Sequence, residues 1–148
     1  MTDLNEIEIL LVEDDRDDLD MALRALRKAN LCNHIQVARD GAEAMEFIFC
    51  QGAHSGRNIE NRPKLILLDL KLPKVDGMEV LKRIKEDART KMIPVVMLTS
   101  SREQKDVLKS YNLGVNSYIV KPVNFDGFYA AVQELGMYWM LLNQAPER

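Results

Sequence analysis

An unbroken apolar run, 65–68, ends on a single carboxylate, Asp69, and a turn marked by Pro73 and Gly77 follows it. A strand that is apolar on both faces belongs in the middle of a parallel sheet with helices on both sides. Open parallel sheets place their ligand crevices at the carboxyl ends of the strands. Asp69 is therefore either a functional carboxylate at such an edge or a cap for the turn that follows it.

Four further runs have strand character, and helical segments separate them. These runs are 6–12, 34–38, 93–98 and 117–120. In the segment 17–29, Leu19, Leu23 and Leu26 recur on one helical face, with acidic residues leading and basic residues trailing. Strands that alternate with helices predict an α/β fold, a doubly wound five-stranded parallel sheet with right-handed connections.

Length and charge limit the possible functions. A chain of 148 residues suits one domain, so we expect 1–148 to form a single unit. The net charge of −3 gives no footprint for nucleic acid or an anionic membrane, and no apolar run approaches transmembrane length. The amino terminus lacks signal-peptide features, and Cys32 and Cys50 lack metal-ligand or redox spacing. We expect reduced thiols in a cytoplasmic protein.

Polar groups follow four of the predicted strands. These groups are Glu13 with Asp14, then Asp69, Thr99 and Lys121. The carboxyl ends of parallel strands share one edge, where gathered carboxylates resist ionisation unless a cation offsets their charge. Mg²⁺ is the natural partner for such oxygen ligands, and a hydroxyl with an ammonium can hold phosphoryl oxygens. The pattern predicts a site that transfers a phosphoryl group onto Asp69.

The sequence resembles the receiver domain of two-component response regulators over nearly its whole length. Four motifs carry the resemblance, in the right order: 11–15, 67–73 with 76–77, 96–100 and 118–122. The resemblance implies a flavodoxin-like receiver fold with strand order 2-1-3-4-5. It also implies a phosphorelay regulator that takes its phosphoryl group from a sensor histidine kinase. Such a protein promotes its own dephosphorylation and is not a turnover enzyme.

By this resemblance Asp69 is the phosphoacceptor. The implied Mg²⁺ ligands are Asp14 directly, Glu13 through water, Asp69 itself and the backbone carbonyl of Lys71. A register with Asp14 and Asp15 as the acid pair is the alternative.

The same resemblance assigns the phosphoryl-binding and switch residues. Thr99 is the conserved hydroxyl, Lys121 the conserved lysine and Tyr118 the switch aromatic. On the residues alone, 99–101 also reads as a helix cap, Tyr118 as a core residue and Lys121 as a surface lysine.

The segment 52–63 is longer than the usual receiver connection, and 136–148 extends past the receiver core. With no output domain, these features make the chain similar to the single-domain regulators of cyanobacterial phytochromes. A bacterial phytochrome is then the expected kinase.

Two other classes of protein compete with this interpretation. Phosphohydrolases of the haloacid dehalogenase type also combine an Asp nucleophile, Mg²⁺, a hydroxyl and a Lys, but they need a second acid two residues after the nucleophile. That position is Lys71 here. A receiver-shaped interaction protein that accepts no phosphate would have lost required side chains, and all of them are present.

The carboxyl-terminal segment predicts a homodimer. Its apolar residues recur at helical spacing: Phe125, Phe128, Val132, Leu135, Trp139 and Leu142. An apolar stripe that continues past the fold's last helix marks a partner surface, and we place Phe128, Tyr138 and Trp139 in a two-fold interface. The alternative is that the segment folds back over the domain's own core.

Overall fold

The computed structural model describes residues 9–29, 34–121 and 124–134. Its strands are β1 (Ile9–Val12), β2 (Ile35–Ala38), β3 (Leu65–Leu68), β4 (Val95–Thr99) and β5 (Ser117–Val120). Its helices are α1 (Arg16–Ala29), α2 (Gly41–Ile48), α3 (Gly77–Glu86), α4 (Gln104–Asn112) and α5 (Phe125–Glu134), with a short 3₁₀ turn at Gly52–His54. Among these described helices, none combines the length and apolar character needed to span a membrane.

All five strands run parallel in one sheet, in the order β2-β1-β3-β4-β5. The predicted fold class and strand order are therefore confirmed. The residues of β1, β3 and β4 are buried throughout, while those of the edge strand β5 are half-buried. Continuous apolar sequence thus marks the strands that are covered on both faces, as expected for a sheet of this type.

The side chains of each central strand divide alternately between two core layers. Leu10 and Ile66 face the layer that packs against α2 and α3. Leu11 and Leu67 face the layer that packs against α1 and α5. Because successive side chains of a strand point to opposite faces, a run of apolar residues supplies both layers at once.

The α1–α5 layer corrects one prediction about the dimer interface. Phe128 is 0% exposed and packs with Leu19 and Val132 in the domain's own core. Its placement in an intermolecular interface was wrong, because a fully buried ring has no surface to offer a partner. Tyr138 and Trp139 lie outside the described residues.

The long connection between α2 and β3 is held by Arg57. Its guanidinium lies 3.7 Å from the ring centroid of Phe47 and donates to the Phe47 carbonyl. A second nitrogen donates to the carbonyl of Asn61 at 2.9 Å, and burial lowers the pKa of the Arg57 side chain. The sequence indicated a connection longer than usual; the structure adds an arginine that fixes this connection to the end of α2.

The connection between β3 and α3 runs tightly past two helix starts. The Gly77 amide donates to the Leu70 carbonyl at 2.8 Å, and the Gly41 amide donates to the Pro73 carbonyl at 3.1 Å. A Cβ atom on Gly77 would lie 2.0 Å from the carbonyl oxygen of Asp69. The backbone that carries Asp69 is therefore in van der Waals contact with the first turn of α3.

We predict that Gly77→Ala destabilises the protein by roughly 1–3 kcal/mol, because the new methyl group must displace backbone rather than a flexible side chain. Gly56→Ala is the matched control, since no atom lies within 4 Å of the added Cβ there. Its effect should stay within about 0.5 kcal/mol. Urea unfolding curves measure both, and equal stabilities of the two variants would contradict the packing described here.

Candidate functional site

Three carboxylates meet at the carboxyl edge of the sheet. Glu13 and Asp14 follow β1, and Asp69 follows β3. The Asp69 amide donates to the carbonyl of Val12 at 3.1 Å, so the ladder between β1 and β3 continues up to the acidic residues. One carboxylate oxygen from each of the three acids lies within 4.8 Å of the others.

The three acids differ in exposure. Glu13 is 2% exposed and Asp69 is 7% exposed, whereas Asp14 is open to solvent. Carboxylate oxygens at this spacing are the ligands that hard divalent cations such as Mg²⁺ take in proteins. The donor set therefore fits a divalent cation that enters from the side of Asp14.

Lys121, at the end of β5, places its ammonium among the acids. Its Nζ lies 2.5 Å from Oε1 of Glu13 and 3.2 Å from Oδ2 of Asp69. A third carboxylate, Oδ2 of Asp18 on α1, lies 2.9 Å away. An ammonium has three N–H donors, so each donor has one carboxylate in range.

The electrostatics of the site follow from burial. Burial raises the pKa of Glu13 to about 7, against the lowering effect of the hydrogen bond from Lys121. Burial also disfavours the charge on Lys121, but the hydrogen bonds that its ammonium donates to Glu13 and Asp18 and the charge of Asp69 outweigh this effect and raise the pKa of Lys121. The lysine is thus a fixed cation among acids that have too few positive partners.

Thr99 ends β4 beside these groups and is fully buried. Its Oγ1 accepts a hydrogen bond from the amide of Ser101 at 3.4 Å. The backbone amide of Lys121 donates to the Thr99 carbonyl at 2.8 Å, which fixes the end of β5 against the end of β4. The sequence also allowed a capping role for this segment, but the N-cap residue of α4 is Glu103, and Ser101 accepts from the Glu103 amide at 3.4 Å in the turn before that helix.

Tyr118 reaches the same loop from β5. Its hydroxyl donates to the carbonyl of Ser101 at 3.0 Å, and the ring is half-buried. Burial raises the pKa of the Tyr118 hydroxyl, so it stays a neutral donor. The tyrosine therefore joins β5 to the loop that follows Thr99.

Two neighbouring residues take other positions. Oδ1 of Asp15 accepts from the amide of Asp18 at 2.9 Å, so Asp15 caps α1. The acidic cluster consists of Glu13, Asp14 and Asp69 and does not include Asp15. The amide of Lys71 donates to Oδ1 of Asp69 at 3.3 Å, while its side chain is exposed. The Lys71 carbonyl as a metal ligand stays a prediction.

Asp18 is the site residue that the sequence patterns did not reveal. It reads as one more acid in the first turn of α1, where acids are ordinary. The available signal was its position three residues after Asp15, the cap of α1. That spacing places Asp18 in the first helical turn, which lies close to the end of β1.

This arrangement defines a receiver domain. Residues 9–133 match the response regulator receiver domain family, and the chain belongs to that family. It is similar to the response regulator Rcp1 of Synechocystis, with 42% identity over 89% of this chain and 88% of Rcp1.

The solved structures that it resembles include two regulators of cyanobacteria and one of a bacteriophytochrome. The Mn²⁺-bound form of Rcp1 gives a TM-score of 0.82 at 40% identity over 95% of this chain and 99% of that one. The phosphorylated cyanobacterial phytochrome regulator RcpA gives a TM-score of 0.82 at 38% identity over 96% of this chain and 99% of that one. The bacteriophytochrome regulator RtBRR gives a TM-score of 0.78 at 51% identity over 95% of this chain and 84% of that one. The resemblance to single-domain phytochrome regulators is confirmed.

We predict that Lys121→Met destabilises the metal-free protein by roughly 2 kcal/mol or more at neutral pH, because it leaves buried carboxylates without a cation. The raised pKa of Glu13 sets the pH dependence. The loss of stability is greatest at a pH where Glu13 is ionised in the folded protein. It shrinks as the pH falls through 7, the raised pKa of Glu13, toward 4.5, the usual pKa of a glutamate.

Urea unfolding between pH 5 and 8 measures this effect. Lys105→Met is the control, since Lys105 pairs with Glu103 in solvent and should change stability by less than about 1 kcal/mol. A loss for Lys121→Met that is no larger than the control, or that grows on acidification, would contradict the prediction.

Proposed function

We propose that this protein is a phosphorelay response regulator that accepts a phosphoryl group on Asp69 from a sensor histidine kinase and then changes a protein-interaction surface. The observation that carries the proposal is the set of three converging carboxylates, one of them at the end of the central strand, with a lysine ammonium hydrogen-bonded to two of them.

Mg²⁺ is the proposed cofactor. Glu13, Asp14, Asp69 and the backbone carbonyl of Lys71 would hold it, with Glu13 acting through water. When bound, the ion offsets the charge of the acids and of the phosphoryl oxygens. The relative Rcp1 has been solved with Mn²⁺, an ion that takes similar oxygen ligands.

The transfer is a substitution at phosphorus. A carboxylate oxygen of Asp69 forms a bond to phosphorus as the phosphorus–nitrogen bond of the donor phosphohistidine breaks, and the histidine leaves with the electron pair. The Lys121 ammonium and the Thr99 hydroxyl would donate to the oxygens of the transferred group. Attack by water on phosphorus later breaks the bond to Asp69 and releases phosphate.

The switch is proposed to run through Thr99 and Tyr118. A hydroxyl that turns toward phosphoryl oxygens gives up its bond with the amide of Ser101 and shifts that loop. Tyr118 donates to the carbonyl of the same Ser101, so the ring has to find a new position when the loop moves. The affected surface is the one formed by α4, β5 and α5.

A bacterial phytochrome is the proposed kinase. The similarity to Rcp1, RtBRR and phosphorylated RcpA supports this choice. We place the protein in the cytoplasm, where such a kinase presents its phosphohistidine, and propose no nucleic-acid or membrane partner.

We infer that the protein is not a turnover enzyme. Lys71 stands where a phosphohydrolase of this chemistry has its acid-base carboxylate, and a lysine whose side chain is open to solvent does not replace it. Single receiver-domain regulators are generally not enzymes, and hydrolysis of the protein's own phosphoryl group is the reaction that remains.

We predict that Asp69→Asn abolishes labelling by small phosphodonors, because an amide cannot serve as the nucleophile. Intact-mass spectrometry should show one added phosphoryl group on the wild-type chain in Mg²⁺ and none on the variant. Asp15→Asn is the control, since Asp15 caps α1 and should leave labelling intact. Full labelling of Asp69→Asn would refute the proposal.

We predict that Asp14→Ala requires far more Mg²⁺ to reach the wild-type rate of labelling.

We also propose that residues 1–148 form one receiver domain in which 136–148 is an extension that pairs two copies. The segment 137–142 is apolar in all six positions, and it contains Tyr138 and Trp139. Aromatic anchors in a two-fold contact suit such a segment. The burial of Phe128 inside the domain confines the proposed interface to these later residues.

We predict that full-length protein has twice the chain mass in light scattering and that Tyr138→Ala with Trp139→Ala gives a monomer of unchanged fold. Tyr111→Ala is the control, because Tyr111 is 48% exposed on α4 and tests whether that surface pairs instead. A wild-type monomer at high concentration, or loss of the dimer in Tyr111→Ala alone, would overturn the assignment.

A further inference from the structure

Asp18 is a charged partner of the site that belongs neither to the acidic cluster nor to the phosphoryl-binding residues. It lies in the first turn of α1, and its Oδ2 is 2.9 Å from Nζ of Lys121. The side chain of Lys121 is 11% exposed and that of Asp18 is 34% exposed, so the pair lies at the rim of the site. The contact joins residues on two elements at opposite ends of the sequence.

The geometry makes Asp18 a competitor. The ammonium of Lys121 lies 2.5 Å from Glu13, 2.9 Å from Asp18 and 3.2 Å from Asp69, so three carboxylates share its positive charge. Two of these carboxylates, those of Glu13 and Asp18, lie on the β1–α1 side and are closer than Asp69. A donor that turns toward a phosphoryl oxygen on Asp69 must leave one of these partners.

Asp18 differs from the other two partners of Lys121 because it is not one of the candidate metal ligands. Glu13 and Asp69 belong to the group of acids that fits a divalent cation, and Asp18 does not. A cation at that group would neutralise Glu13 and Asp69 and release the lysine from them. The hold of Asp18 on Lys121 would persist, because no metal ligand is involved.

We propose that Asp18 is a positioning residue that holds the Lys121 ammonium toward α1 and thereby weakens its interaction with the phosphoryl group on Asp69. This inference rests on the proposed function. It makes α1 part of the phosphorylation equilibrium, since capture of Lys121 by a phosphoryl group releases the first turn of that helix from β5.

The test compares charge-neutralising substitutions at adjacent positions. Asp18→Asn keeps the shape of the side chain and removes its charge. Asp17→Asn makes the same charge change one residue earlier in the same helical turn, at a side chain that is exposed and outside the Lys121 cluster. Subtracting its effect removes contributions from the helix dipole and from long-range charge. Asp18→Glu restores the carboxylate.

Two readouts apply to the full-length chain in saturating Mg²⁺. One is the rate of Asp69 labelling by acetyl phosphate, followed by intact mass. The other is the affinity for beryllium trifluoride, an acyl-phosphate mimic, measured by calorimetry without any reaction. Relative to Asp17→Asn, we expect Asp18→Asn to increase both by about two- to fivefold, the range that a partly exposed ion pair gives. Asp18→Glu should lie close to wild type.

A second measurement needs no substitution. NMR contacts between the Lys121 and Asp18 side chains should be present in the metal-free wild-type chain and weaken on addition of Mg²⁺ and beryllium trifluoride. Their persistence at full strength would overturn the proposal, as would equal behaviour of Asp18→Asn and Asp17→Asn or a decrease for Asp18→Asn. A wild-type chain that neither takes up phosphate nor binds the mimic would instead refute the proposed function.

Discussion

The rest of the site depends on an imbalance of charge at one edge of the sheet. Glu13 and Asp69 are buried and Asp14 lies beside them; within the described part of the chain, Lys121 is the cation that contacts this group. One ammonium cannot offset three carboxylates, so the folded chain holds unfavourable electrostatic energy there. A divalent cation or a proton relieves it. The surrounding structure has to be stable enough to keep these groups together without that relief, and the two continuous core layers provide that stability.

The fold and most of the site could be predicted from the sequence because their signals are local. Continuous apolar runs identified the strands, and parallel topology then required the residues at their ends to meet. Asp18 could not be found this way, because an acid in a first helical turn has an ordinary local explanation and its contact with Lys121 depends on the relative placement of α1 and β5.

The role of Phe128 failed for a related reason. Helical spacing shows that a residue lies on an apolar stripe, but it does not distinguish a stripe that covers the domain's own core from one that meets a partner. Packing against Leu19 and Val132 decides the matter, and that packing is a tertiary property. Arg57 could not be identified from the sequence for the same reason. The sequence shows a basic residue in a polar loop, whereas the contact of its guanidinium with the ring of Phe47 depends on how the loop folds.

The fixed loop after α2 has an architectural consequence. Helix α2 starts at the edge where the acids lie and ends at the opposite edge, and a strand of four residues separates the two edges by about 13 Å. Extra chain inserted beyond Cys50 is thus separated from the acidic residues by the length of the strands. The loop between Gly52 and Pro63 is a place where related chains can diverge in length and identity, and where a fluorescent or affinity label can be introduced, while the acidic residues at the other end of the strands stay unchanged.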